Sequence, residues 1–442
     1  NEKIVVTETV LCYSDKGFSG LSKIYHRCIR EHICRGKYVK TKRPLLLNSW
    51  EAAYFNIDGD TICRLAKDAA DLNLDMIVMD DGWFGKREDD NSGLGDWHFN
   101  EQKMGCTLQE LTDKVNKLGV KFGIWIEPEM VSEDSDLYRE HPDWVLCFPG
   151  RKAVRCRNQL VLDFSREDVR KLIFERICSL LDQGNIAYVK WDMNRSIADV
   201  YSGENAPGKV TYDYMLGVYD FLEKLIKRYP EILIEGCSGG GGRFDAGMMY
   251  YTPQIWCSDN TDAADRLRIQ YGTSFFYPAS TIGAHVSAAP NHQTGRNISL
   301  HTRGIVAMAG TFGYELDPGL LSEEEKEEIR EQAGRYRQYE DLIREGMYYR
   351  LSDPFEAPYA AWMFVSEDRD TALCSIVILE NHSNPPIHYV KLRGLDKDAV
   401  YEDKESGKRY YGSALMEAGL PMPLVKEDYP AWQMIFTRVT GI

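Results

Sequence analysis

No stretch of this sequence stays apolar long enough to span a bilayer, no two cysteines stand as a CxxC pair, and no segment repeats or falls into low complexity. Those absences set aside a membrane-spanning helix, a zinc ribbon and a solenoid. Positive charge is also in short supply, with 53 Lys and Arg against 68 Asp and Glu and a net charge of −15. A surface of that sign repels phosphate backbones and anionic lipid, so neither nucleic acid nor a membrane is expected as a partner. A neutral or cationic small molecule fits better. The eleven cysteines are an odd number and scattered, so they read as free thiols in a reducing compartment and not as a disulfide framework. No signal peptide is recognisable, and the chain starts at Asn1 without methionine, which leaves open a targeting segment upstream. A cytoplasmic location is the expectation.

What the chain does have is enough apolar residue for a core, 43% of 442 positions, and more length than one compact domain usually needs. A large domain with a smaller companion is expected. Residues 1–42 read as a lead-in: a β-like start, IVVTETVLCYS, then a helical stretch, GLSKIYHRCIREHI. From residue 43 short apolar runs recur, each followed by a polar or glycine-bearing turn and a helix-period segment. The runs are LLLNSW (45–50), MIVMDDGW (76–83), KFGIWIEP (121–128), LVLDF (160–164), YVKWDMN (188–194), ILIEGCS (232–238), QIWCSDN (254–260) and PASTIGAHVS (278–287). Eight strands alternating with helices predict parallel βαβ units closed into a (β/α)8 TIM barrel, an α/β fold, over residues 43–346. The charged segment LSEEEKEEIREQAGRYRQYEDLIREG (321–346) reads as a helix leading out of it. Beyond, alternation of apolar and polar residues predicts a small antiparallel β-sandwich over 347–442.

A barrel of this kind forms its active site at the C-terminal ends of the strands, and polar residues there need a reason other than packing. The run ends supply Trp50, Glu51, Asp80, Asp81, Trp83, Trp125, Glu127 and Glu129, then Asp163, Lys190, Asp192 and Asn194, and finally Glu235, Cys237, Asp259, Asn260 and His285. Carboxylates and tryptophans dominate. The combination suits a sugar, since carboxylates hold hydroxyls by charge-assisted hydrogen bonds and indole faces stack on C–H surfaces. No His pair at ligand spacing accompanies the carboxylates, and Lys190 adds a competing charge, so neither a metal nor any other cofactor is expected. The glycine-rich CSGGGGRFD (237–245) lacks both the Walker lysine-serine pair and the GxGxxG order; it reads as a turn that lets the backbone approach a ligand closely.

Two carboxylates on different strands, with cationic and aromatic neighbours, are the minimum for glycoside hydrolysis. One attacks the anomeric carbon and must stay ionised. Lys190 shares a strand face with Asp192 by alternation and is expected to keep it charged. The other carries a proton to the leaving oxygen. Asp259, beside Trp256 and Cys257 with no adjacent cation, is expected to have its pKa raised by burial. Electrostatics alone leave Asp262 and Asp163 open beside it. Glu127 and Glu129 read as rim or structural carboxylates, Asp163 as a residue that orients a neighbour, and Trp50 and Trp83 as either core or site aromatics.

Taken together, KWDMNR (190–195), DDGWFG (80–85), GIWIEPEMV (123–131), CSGGGGRFD (237–245), WCSDNTDAADRLRIQYGTS (256–274) and HVSAAPNHQTGR (285–296) resemble the α-galactosidases of glycoside hydrolase family 36. GTFGYELD (310–317) continues the likeness across roughly residues 40–320. The resemblance implies a retaining α-galactosidase acting on terminal α-linked galactose in raffinose- and melibiose-type sugars, through a covalent galactosyl-enzyme. It implies Asp192 as nucleophile and Asp259 as acid/base. It places Asp80 and Asp81 on the O4 and O6 side of galactose, closed by Trp125, with Arg157 and Lys190 donating to sugar oxygens and Cys237 and Gly240 lining the O2 side. Asn194, beside the nucleophile in the same motif, joins the substrate-binding set. Two departures stand out: Cys257 occupies a position where related sequences commonly read threonine, and the family's large N-terminal β-sandwich is missing. An α-N-acetylgalactosaminidase of the same fold, or a sugar-binding module without catalysis, is the alternative. Transfer to a sugar hydroxyl instead of water is a variant of the same mechanism. A homo-oligomer is left open.

Overall fold

The computed structural model describes residues 8–203, 205–384 and 386–439. Residues 8–14 form no strand, against the expected β-like start at 4–14, of which residues 4–7 lie outside the described residues. Val10, Leu11 and Tyr13 are exposed, and among the described residues they pair with no strand. The predicted helical stretch is helix α1 (Gly17–Cys28), continued by a wider turn over Ile29–Ile33.

Among the described residues eight parallel strands close a barrel: β1 (Leu46–Asn48), β2 (Met76–Met79), β3 (Lys121–Ile126), β4 (Ile186–Trp191), β5 (Leu233–Gly236), β6 (Gln254–Trp256), β7 (Ile282–Ser287) and β8 (Thr311–Glu315). Each pairs with its sequence neighbour, and β8 closes on β1 through Leu46↔Gly313 and Leu47↔Tyr314. The crossovers are made by α2 (Gly59–Asp71), α3 (Leu108–Lys117), α4 (Glu167–Leu181), α5 (Val210–Arg228), α6 (Ala263–Thr273) and α7 (Leu300–Ala307). Their starts are written in the sequence. Asp58 accepts from the Thr61 N–H at 2.7 Å, and Thr107 with Glu110 forms a reciprocal capping box.

One expected strand is wrong. The run LVLDF (160–164) does not enter the barrel; Leu160–Val161 pairs antiparallel with Met130–Val131 in a ribbon above β3. Between β3 and this run the described chain makes the Met130–Val131 strand, the short helix Asp136–Glu140 and a single 3-10 turn at Pro142–Trp144, and the run folds back on Met130–Val131 instead of crossing to the barrel. The eighth place goes to β8, drawn from TFGYE. Glycine masked it, because Gly310 and Gly313 suggest a turn. Both are packing glycines: a Cβ on Gly310 would lie 2.4 Å from the Ile282 carbonyl oxygen, and one on Gly313 2.8 Å from His285 Cδ2.

After β8, helix α8 (Glu323–Glu345) starts at a Ser322/Glu325 capping box and buries Ile329, Ala333, Tyr336 and Ile343. It leads into an antiparallel sheet of β9 (Met347–Arg350), β10 (Tyr359–Val365), β11 (Thr371–Ile378), β12 (Val400–Asp403), β13 (Arg409–Tyr411) and β14 (Ala431–Arg438), in the order β9-β10-β11-β14-β12-β13. Period-two alternation divides its residues. Trp362, Phe364, Leu373 and Ile435 join the apolar cluster of the barrel, whereas Met363, Cys374, Ile376 and Phe436 face a second core with Val390 and Leu420. Those two residues belong to a small two-stranded sheet, Tyr389–Val390 with Leu420–Pro421, that forms the outer layer. Among the described residues no helix is long and apolar enough to cross a membrane.

Candidate active site

The C-terminal ends of the barrel strands surround a cavity of about 370 Å³, within the range of small-molecule pockets. Asp80, Asp81, Trp125, Arg157, Lys190, Asp192, Asn194 and Asp259 all line it. Cys237 and Gly240 stand one layer behind.

The wall after β2 presents two adjacent aspartates, each neutralised separately. Asp80 Oδ2 accepts from Lys190 Nζ at 2.9 Å and from Asn48 Nδ2 at 2.8 Å. Asp81 is gripped by the buried Arg87, with Nε to Oδ1 at 3.0 Å and Nη2 to Oδ2 at 2.8 Å. Burial opposes the charge on Lys190, yet Asp80, helped by Glu315, Cys237 and Asp192, raises its pKa well above the ordinary lysine value. Lys190 therefore pairs with Asp80 across the barrel, and the expected local pairing with Asp192 is absent. Strand β4 ends at Trp191, so Asp192 lies past the point where alternation would hold the two side chains parallel.

Asp192 is instead held by neutral donors. Its Oδ1 accepts from the backbone N–H groups of Met193 at 2.7 Å and Gly239 at 3.3 Å, and its Oδ2 from Asn194 Nδ2 at 2.8 Å and Trp125 Nε1 at 3.2 Å. The Cys237 thiol also hydrogen-bonds to it, and burial followed by the nearby charges of Asp192 and Asp259 keeps that thiol protonated. Asn194 is oriented in turn by Arg157, whose Nη1 donates to its Oδ1 at 2.6 Å. Arg157 and Asn158 both take left-handed backbone, at φ 50° and 57°. Glu127, fully buried, accepts from the Asn194 N–H and from Gln159 Nε2, and burial together with the charge of Asp192 lifts its pKa to about 8.

Asp259 faces the same cavity from the loop after β6. Among the described residues its carboxylate receives one side-chain hydrogen bond, from Trp256 Nε1 to Oδ1 at 3.1 Å. Although the side chain is open to the cavity, its pKa is raised to about 6, by partial desolvation first and then by the charge of Asp192, against the opposing pull of Lys190 and Arg157. Gly240 explains the glycine turn behind it: at φ +83° it approaches so closely that a Cβ would sit 2.6 Å from the Asp259 nitrogen.

The two alternatives to Asp259 are occupied elsewhere. Asp262 caps α6, accepting from the N–H groups of Ala264 and Asp265, and pairs with Arg296. Asp163 accepts from Ser165 beside the antiparallel ribbon, away from the cavity. Trp83 is a core aromatic that donates to the Trp125 carbonyl at 3.0 Å, whereas Trp50 lines the cavity. Glu129 is structural, bridged to Arg243 and bonded by Trp191 and Tyr214. Glu235 is buried against Gln254, and Asn260 ties its own loop to Asp265.

Sequence reasoning passed over Arg87, Gln159, Thr261, His292, Gln293 and Glu315, which also line the cavity. Glu315 ends β8 and had been hidden with that strand; it accepts from His285 Nδ1 at 3.1 Å. Thr261 and His292 gather around Glu51, whose pKa burial lifts to about 8. Among the described residues no three His, Cys, Asp or Glu side chains converge as a metal site.

Family models match nearly all of the chain: Melibiase over residues 5–346 and the glycosyl hydrolase family 36 C-terminal domain over 359–436. The bifunctional α-galactosidase/sucrose kinase AgaSK of Mediterraneibacter gnavus is 64% identical over 438 residues, covering 99% of this chain and 46% of that protein. α-Galactosidase AgaA of Geobacillus stearothermophilus is 49% identical over 431 residues, covering 97% of this chain and 59% of its own. The solved galactosidase domain of AgaSK superposes with a TM-score of 0.94 over 96% of this chain and 58% of that one. The crystal structure of AgaA superposes at 0.95 with 48% identity, over 97% and 60%. Variants of AgaA have been solved with raffinose and with stachyose bound. The chain thus spans about half of the curated relatives it matches.

Proposed function

The chain belongs to the melibiase family, with the C-terminal domain of glycosyl hydrolase family 36, and on that premise we propose that it is a retaining α-galactosidase cleaving terminal α-linked galactose from raffinose-type oligosaccharides. The observation that carries the reading is the unequal pair of carboxylates in one small cavity: Asp192, buried and held by four N–H donors, and Asp259, held by one and with its pKa raised to about 6. The first is suited to attack carbon, the second to carry a proton.

In this reading Asp192 attacks C1 of galactose while Asp259 protonates the departing oxygen, leaving a galactosyl ester on Asp192. Water then attacks C1, gives its proton to Asp259, and releases the Asp192 carboxylate with the anomeric configuration retained. Asp80, Asp81 and Lys190 receive the galactose hydroxyls, and Trp125 and Trp50 offer aromatic surface to the ring. Arg157 reaches the cavity through Asn194 and donates to sugar oxygens. Cys237 and Gly240 bound the side nearest O2 from behind Asp192 and Asp259. The eleven unpaired thiols support a reducing compartment, which we read as the cytoplasm.

Initial rates on nitrophenyl α-galactoside and on nitrophenyl α-N-acetylgalactosaminide test the assignment. The galactoside is expected to be cleaved at least about a hundredfold faster. Faster cleavage of the acetamido sugar would make the chain an α-N-acetylgalactosaminidase. Binding of galactose without turnover of either would leave a sugar-binding module.

A further inference from the structure

Resting on the assignment of Asp259 as acid/base, we propose that Trp256 is its positioning residue: the indole N–H occupies Oδ1, so that the transferable proton sits on Oδ2. The bond is 3.1 Å long, and among the described residues it is the one side-chain donor to that carboxylate. A neutral carboxyl group carries its proton on one oxygen only, and an oxygen already accepting an N–H is the poorer place for it. The indole N–H thus leaves Oδ2 as the oxygen that carries the proton.

The indole is itself unable to turn. It is 2% exposed although its edge reaches the cavity. One ring neighbour is His285, with centroids 4.4 Å apart. The Arg266 guanidinium lies 4.7 Å from the ring and Lys190 Nζ 5.8 Å. Arg266 is tied by Nη2 to the Gly283 carbonyl at 2.8 Å, and His285 by Nδ1 to Glu315 at 3.1 Å, so the neighbours are themselves fixed. Gly283 clears the last side, since a Cβ there would lie 3.1 Å from Trp256 Cε3. Two cations and an imidazole on a π-system are more than packing requires, and the contacts hold the N–H on its target.

The proton balance is explicit. In the first step the Oδ2 proton passes to the glycosidic oxygen as the C1–O bond breaks and its electron pair goes to that oxygen, while Asp192 bonds to C1. In the second, the Asp259 carboxylate takes a proton from water as the water oxygen bonds to C1 and the ester bond to Asp192 breaks. The charged groups facing Asp259 are Asp192 and Lys190 from the β4 end, Arg157 from the ribbon loop, Glu315 from β8 and Arg266 from α6, with the neutral thiol of Cys237 from the β5 end. All are unchanged in a Trp256→Phe variant, so a shift in its pH profile reports the lost N–H.

Trp256→Phe keeps a ring between the same neighbours and removes only the donor atom and its pyrrole edge. Its kcat/KM for raffinose is expected to fall about tenfold and that for nitrophenyl α-galactoside much less, because an activated leaving group needs little protonation. The basic limb of the raffinose profile should move to higher pH, since a carboxylate that loses a donor holds its proton more tightly. In an Asp259→Ala background the same substitution should change nothing further. Binding of a galactose-shaped iminosugar reports whether the pocket is intact. Equal losses on both substrates, a stationary basic limb, an undiminished effect without Asp259, or loss of iminosugar binding would each overturn the role. If the unmodified protein cleaves neither galactoside, the proposed function fails and this inference falls with it; if it does cleave them and one of those results is found, only the inference falls.

Discussion

The two sides of the cavity treat the same functional group in opposite ways. At the end of β4, Asp192 meets two backbone N–H groups, an amide, an indole and a thiol. Across from it, Asp259, open to the cavity, meets one indole, and partial desolvation together with the charge of Asp192 raises its pKa to about 6. The lesson is that the count of donors fits the two proposed roles: many donors stabilise a carboxylate anion, and few donors beside another negative charge favour the acid. Cations play less part in that distinction than the sequence suggests, because Lys190 and Arg87 are committed to Asp80 and Asp81.

The largest effect expected follows from removing the donor-rich carboxylate. Asp192→Ala should lower kcat by about 10⁴-fold or more on every galactoside, and azide should restore turnover with inverted configuration at C1. Azide products of unchanged configuration would move the nucleophile elsewhere. Removing the donor-poor carboxylate should be selective. Asp259→Ala is expected to cost about 10³-fold on raffinose and far less on the nitrophenyl galactoside. In the unmodified protein kcat/KM for raffinose should decline above about pH 6, because the acid must be protonated and Asp259 titrates there; that decline should vanish in the variant. A basic limb that survives the substitution would assign the proton to another group.

A smaller change sharpens the contrast. Asn194→Ala withdraws one of the donors to Asp192 and frees Arg157, and is expected to lower kcat about tenfold on both substrates alike. A loss confined to raffinose would place Asn194 on the acid's side of the reaction. The smallest effect lies outside the cavity. Burial lowers the pKa of His26 in α1 to about 3 from its ordinary 6.5. The folded chain then binds fewer protons than the unfolded one, so the stability due to neutral His26 is complete above about pH 6.5 and is lost as pH falls toward 3. His26→Gln should flatten the dependence of the urea midpoint on pH within that window and leave the catalytic profile alone. An unchanged slope would show that His26 is not the titrating group.

Much of this was legible in the sequence, and the reasons for the failures are physical. Strand ends are marked where an apolar run stops at a carboxylate or tryptophan, which is how Asp80, Trp125, Asp192 and Asp259 could be gathered before any coordinates. The run 160–164 looks the same as a barrel strand, since local pattern carries no direction; its antiparallel partner, Met130–Val131, is set by the fold. β8 was concealed by glycines whose purpose is close packing against β7. The partner of Lys190 was misjudged because spacing two apart implies a shared face only while the strand continues. Arg87, His292 and Gln293 come from loops, where no periodicity exists to point them anywhere. The choice among Asp259, Asp262 and Asp163 needed the caps and partners that only the fold supplies.

The measurement that bears most directly on the unequal pair is the anomeric form of galactose at first release, followed by proton NMR during hydrolysis of nitrophenyl α-galactoside. A double displacement through Asp192 predicts α-galactose first, with the β-anomer growing in by mutarotation. β-Galactose appearing first would mean a single displacement by water, and would contradict the assignment of Asp192 as nucleophile.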